Sequence, residues 1–296
     1  IYQRVYSWEA PECERLWDDI VQAGRHDNIG GHFTGSIVYV EKEQGTRTSA
    51  EPDLIIDGQQ RVTTVTLILA ALTARLDQLP ESERQPVDGF APNKIRGHYL
   101  TNPMEDDEGF FKLVLSQGDK DALKAVIRRN PVGTGGTTSR VYTNYALFES
   151  KFADPTTDLV SVCLGLKKLI VVDVKLTRGV DNPQLVFEAM NSTGKKLSQA
   201  DLIRNFVLTD LPQAEQVRLY EGFWYPMERE FTGVHEARFD EFVRHFLTVK
   251  TGSIPRLDDI YDAFKEYAYE MLGVGTSRED LVSDLAQHAR WFVAMA

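Results

Sequence analysis

The chain has 296 residues, 44 Asp and Glu against 33 Lys and Arg, a formal charge of −11 and two cysteines. That length holds one large domain or two moderate ones with ample core. The acidic balance excludes whole-molecule attraction to DNA, so a nucleic-acid surface must be local, and Cys13 and Cys163 in apolar surroundings exclude a disulfide framework or a cysteine zinc site.

Two cysteines in such contexts point to a reducing cytoplasm, and no signal peptide or run long enough to span a membrane is read. The opening Ile1–Trp8 reads as extended, with Tyr2, Arg4, Tyr6 and Trp8 on one side by alternation. From Pro11 the spacing predicts a helix with Cys13, Leu16, Trp17, Ile20 and Val21 on one face. After Gly30 and Gly31 come a strand at 33–40, a polar hairpin loop and a strand at 53–56. Val62 to Leu79 is apolar nearly all round, which predicts a central helix. Its β-branched start needs packing or a ligand to hold the first turn. Residues 80–110 are Pro-rich and acidic and read as a surface excursion. Helices are expected at about 119–129 and 140–153, and a strand at Leu169–Val174. A helix opened by Asn182 and Pro183 leads to the loop Asn191–Lys196 and a capping box at Ser198–Asp201. Beyond that the pattern is helical throughout, roughly 213–231, 236–250, 257–271 and 278–296. The chain starts inside a strand-like pattern and stops inside a helical one, as a piece of a longer protein would.

Three places carry candidate chemistry. Between the strand ending at Ile56 and the helix stand Asp57, Gly58, Gln59, Gln60 and Arg61. Asp57 and Gln60 have capping-box spacing. Capping explains neither Gln59 nor a fixed cation one turn into a helix whose macrodipole is already positive there. An anion opposite Arg61 would explain it, because helix N-termini after a glycine turn bind anions. The loop Asn191, Ser192, Thr193, Gly194, Lys195 ends like a P-loop but lacks its first glycine, Ala189 standing there. On the residues alone, a helix connector with solvated lysines is the favoured account of it. The Tyr2, Gln3, Arg4, Tyr6, Trp8 cluster interleaves aromatics with a cation, a surface suited to bases or sugar-phosphate edges, or simply to a core. Asp173 and Lys175 have the Asp-x-Lys form of some metal-dependent nucleases without a partner acid upstream, and His235, His245 and His288 lack metal-ligand spacing.

Four blocks in order, Ile1–Trp8, Phe33–Ile37, Asp57–Arg61 and Phe187–Phe206, resemble the DGQQR family of bacterial defence proteins, the GmrSD- and SspE-type restriction factors. The resemblance implies an α+β fold: a small mixed ParB/sulfiredoxin-like sheet with a central helix, followed by an all-helical region. It implies a nucleotide-hydrolysing, DNA-sensing domain over residues 1–210 and a helical connector over 211–296. It further implies hydrolysis of GTP or another nucleoside triphosphate, with Mg2+, by Asp57, Gln59, Gln60 and Arg61. Gly58, Thr63, Thr64, Asn191, Thr193, Gly194 and Lys195 would line the nucleotide; no metal ligands are named. Tyr2, Gln3, Arg4, Tyr6 and Trp8 would sense modified DNA, with phosphorothioate first and a glucosylated base next. Members carry a C-terminal HNH nuclease domain, whose His-rich motif is missing from these residues. The implied partners are modified DNA and that nuclease domain, with a homo-oligomer compatible and no membrane. A non-catalytic DNA-binding and assembly module is the alternative.

Overall fold

Three apolar runs become the strands of one small sheet: β1 (His32–Val40), β2 (Leu54–Asp57) and β3 (Leu169–Leu176). The computed structural model describes residues 5–40, 52–115, 117–129, 139–177, 181, 186, 198–208, 211–231 and 238–295. They fall in two compact units, the described residues up to 181 and those from 186 onward. The strand order is β2-β1-β3, with β1 antiparallel to β2 and parallel to β3. Val38, Val40, Ile56 and Leu176 are buried, whereas Ile170, Val171 and Val172 of β3 are exposed. The α+β class expected from the sequence is the one observed: a small mixed sheet and then mostly helices.

Helices α1 (Ala10–Arg25), α2 (Gln59–Asp77), α3 (Pro92–Ile95), α4 (Gln117–Arg128), α5 (Arg140–Ala153) and α6 (Leu159–Lys167) complete the first unit. α1 buries Cys13, Leu16, Trp17 and Ile20 on one face, as its spacing predicts. α2 is the central helix, with Leu67, Ile68, Leu72 and Leu76 fully enclosed. Its buried threonines solve a local problem. The hydroxyls of Thr63, Thr64, Thr66 and Thr73 donate to the carbonyls of Gln59, Gln60, Val62 and Leu69, so none is buried unsatisfied.

Two expectations change here. Residues 80–110 are not merely a surface excursion: Phe90, Ile95 and Leu100 enter the core through α3 and the π-turn Arg96–Leu100. α6, apolar over most of its length, has no counterpart in the sequence reading. Its start is fixed by Asp158, whose carboxylate accepts from Val160 N–H and Ser161 Oγ.

The second unit is helical among its described residues: α7 (Gln199–Leu208), α8 (Gln213–Leu219), α9 (Tyr225–Glu230), α10 (Phe239–Thr251), α11 (Ile260–Gly273) and α12 (Arg278–Met295). Trp224, Phe242, Phe246 and Phe264 form its core. Ser198 caps α7 as its motif predicts, with Oγ accepting from Asp201 N–H at 3.1 Å. The helix expected over 213–231 is interrupted by a π-turn at Tyr220–Trp224, just before Pro226, which has no N–H to give. Arg204 is buried and donates to Asp201 and Glu228, each at 2.7 Å. The helix expected after Asn182 lies outside the described residues, apart from Val186.

Candidate functional site

β2 ends at Asp57, and Gly58 turns the chain into α2 with φ of +88°, a left-handed conformation suited to glycine. A β-carbon on Gly58 would lie 2.8 Å from the Ser36 carbonyl oxygen, so the turn also needs glycine to sit against β1. Gly58 is the N-cap of α2, and no side chain caps the first turn. The capping box expected from Asp57 and Gln60 is therefore not formed. The helix begins one residue past the glycine, and Gln60 is used elsewhere.

Arg61 reaches back over β1. Its Nη1 donates to the Ser36 carbonyl at 2.9 Å, and its guanidinium lies against Gly35. Gly35 has φ of +111° and stands where the pairing of β1 with β3 slips out of register, between Phe33 and Gly35. Burial pushes the pKa of Arg61 down, and the negative charge of Asp57 pulls it partly back. Among the described residues no carboxylate comes within ion-pair distance of this guanidinium. A half-buried cation with one neutral acceptor and an uncapped helix N-terminus beside it is an arrangement that an anion completes.

The two glutamines do different things. Gln59 Nε2 donates to the Ile55 carbonyl at 2.8 Å, which stiffens the strand-to-helix turn. Gln60 turns toward the chain's opening: Oε1 accepts from Ser7 N–H at 2.7 Å and Trp8 N–H at 3.3 Å, and Nε2 donates to Val5 C=O at 3.1 Å. Thr63 and Thr64 are buried, with hydroxyls engaged inside the helix. A small cleft opens beside Gln59, Gln60 and Thr63, walled by Tyr6, Leu113 and Leu115.

Of the expected sensing cluster, Tyr6 and Trp8 are described. Tyr6 is 2% exposed, and its phenol meets Thr64 Oγ1 at 2.7 Å and Asn144 Nδ2 at 3.1 Å. Burial raises its pKa far above the usual phenol range. Trp8 is half-buried against the core, and its carbonyl accepts from Asn144 Nδ2 at 2.8 Å. Tyr2, Gln3 and Arg4, and Asn191, Thr193, Gly194 and Lys195, lie outside the described residues. Asp173 and Lys175 sit on β3, and no three His, Cys, Asp or Glu side chains gather to hold a metal among the described residues. No described helix is long and apolar enough to cross a membrane.

Sequence reasoning passes over Gly35 as a contact of Arg61, although a lone glycine inside a strand is a signal of close approach. It also passes over Asp119, Arg140 and Asn144, which hold the N-terminal segment from 113 to 138 residues away. No local pattern announces contacts at that separation.

No curated protein matches the chain significantly. A family does: the GmrSD restriction endonuclease N-terminal domain matches residues 1–208, about two thirds of the chain and the whole of the Asp57–Arg61 junction. The chain therefore belongs to the GmrSD restriction endonuclease N-terminal domain family.

Proposed function

We propose that residues 1–208 form a nucleoside-triphosphate-hydrolysing sensor, with GTP the favoured substrate, that reads modified DNA and controls a nuclease in anti-phage defence. The observation that carries this reading is the half-buried Arg61, without a carboxylate partner among the described residues, beside the uncapped first turn of α2. Arg61 would take the charge that develops on the transferred phosphoryl group, and Asp57 would orient the attacking water. Mg2+ needs as few as one or two protein carboxylates when phosphate oxygens and water complete its shell. Asp57, whose charge is felt at Arg61, fits that modest demand. The ion would neutralise phosphate charge. Asn191, Thr193, Gly194 and Lys195 are proposed as a second wall of the nucleotide site.

Tyr2, Gln3 and Arg4 are the proposed readers of the DNA mark, phosphorothioate ahead of a glucosylated base. Tyr6, being buried, serves them as an anchor. The test is GTP hydrolysis with and without phosphorothioate oligonucleotide. Loss of one transition-state donor typically costs about 10²–10³ in rate, so Arg61→Ala should be nearly inactive. Equal turnover by wild type and Arg61→Ala would refute the hydrolytic reading.

One observation favours the second reading, a DNA-binding and assembly module without catalysis. Gln60 and both threonine hydroxyls are already committed to structural hydrogen bonds. That reading requires DNA binding with a steep salt dependence and no nucleotide effect.

A further inference from the structure

Residues 5–8 have no strand partner among the described residues. Their backbone groups are instead held by side chains. Val5 C=O, Ser7 N–H and Trp8 N–H bond to Gln60, and Tyr6 N–H donates to Asp119 Oδ2 at 2.7 Å. Ser7 C=O accepts from Arg140 Nη1 at 2.5 Å, and Trp8 C=O from Asn144. The Gln60 carboxamide pairs with a carbonyl at one position and an N–H two residues on, as the N–H and C=O of one residue on a neighbouring parallel strand would. Asp119, Arg140 and Asn144 hold the segment to α4 and α5. Gln60 holds it to the first turn of α2, one residue before Arg61.

We propose that Gln60 is a positioning residue that links the N-terminal segment to the first turn of α2, so that ligand binding at Arg61 and displacement of residues 5–8 affect each other. The proposal rests on the nucleotide reading of the Asp57–Arg61 junction and gives that reading its route of regulation. Displacing residues 5–8 breaks three hydrogen bonds on one side chain and so untethers the turn that carries Arg61, which no side chain caps. The linkage is reciprocal, so an anion fixing that turn must also tighten the segment.

Hydrogen exchange of the full chain, with and without guanylyl imidodiphosphate, tests it. In wild type the analogue should slow exchange at the Ser7 and Trp8 amides at least about fivefold, the lower end of ordinary coupling between sites. Gln60→Ala should abolish that response, and Gln60→Glu, which keeps an oxygen acceptor for both amides, should recover part of it. Arg140→Ala loosens the same segment at Ser7 C=O and removes the ion pair with Glu9, while leaving the three hydrogen bonds of Gln60 in place. It should weaken binding of the analogue in wild type and add nothing in Gln60→Ala, and it serves alone if Gln60→Ala does not fold. Wild type that binds the analogue with unchanged Ser7 and Trp8 exchange overturns the linkage and leaves the nucleotide site standing. The linkage is equally overturned if Arg140→Ala frees residues 5–8 with unaltered affinity. Wild type that does not bind the analogue overturns the nucleotide reading and this proposal with it.

Discussion

The guanidinium of Arg61 rests on the α-carbon of Gly35, where a β-carbon would meet Nη2 at 2.8 Å. Gly35 combines that contact with a φ of +111°, so an L side chain there is both strained and obstructive. Gly35→Ala should therefore cost about 1–3 kcal/mol of stability, read as a lower urea midpoint, and should push Arg61 off the Ser36 carbonyl. The proposed GTP hydrolysis should fall with it. An alanine variant of full stability and full activity would show that Arg61 does not depend on this seat.

Tyr6→Phe removes a hydroxyl from a buried network, yet the expected loss is modest. Thr64 Oγ1 still donates to the Gln60 carbonyl, and Asn144 Nδ2 still donates to Trp8 C=O. With Thr64 and Asn144 each keeping a bond, and with Cys13 Sγ, the third partner at 3.4 Å, only a weak hydrogen-bonding group, the cost should be about 0.5–1.5 kcal/mol, the net worth of an ordinary hydrogen bond. Chemical denaturation of both proteins measures it; a loss several times larger would mean the phenol organises more than these contacts.

Alkaline pH should unfold the first unit through its buried thiols. Burial pushes Cys163 from an ordinary value near 9 up to about 12 and moves Cys13 in the same direction. Between those values the unfolded chain releases a proton that the folded chain retains, so stability falls as pH rises. The contribution of Cys163 is complete below about pH 9 and gone by about pH 12. Cys163→Ala should make the melting temperature less sensitive to pH from 9 upward, while Tyr6 and Tyr145, also raised by burial, begin to act above about 10.

In the second unit, Arg204 is buried between Asp201 and Glu228. Arg204→Ala leaves two carboxylates facing an emptied site, and breaking such a pair typically costs about 3–5 kcal/mol. Urea unfolding followed by tryptophan fluorescence should show the loss, since Trp224 belongs to the same unit. Arg204→Met should do less harm than Arg204→Ala, because it keeps the volume.

What can be read in the sequence is local. The three strands, the amphipathic face of α1 and the Ser198 cap follow from spacing over a few residues, and the structure keeps them. The Asp57–Arg61 island is visible as surplus polarity, but half of its explanation by spacing does not hold. The capping box is a spacing coincidence, because the left-handed Gly58 takes the cap position and releases Gln60. Its true partners, Ser7 and Trp8, lie more than 50 residues away, beyond the range of any spacing rule. The fate of Phe90, Ile95 and Leu100 is hidden for a related reason: the prolines and acids around them dominate the composition of that stretch.

Residues 5–8 have a consequence for how such a protein can diversify. Because their backbone is held by side chains rather than by the ladder of a sheet, the three strands keep their register whatever happens at the chain's opening. Val5 and Ser7, whose side chains are exposed, can be exchanged without disturbing the sheet, whereas Tyr6 is fixed by its place in the core. The bolts that must be preserved are few: Gln60, Asp119, Arg140 and Asn144.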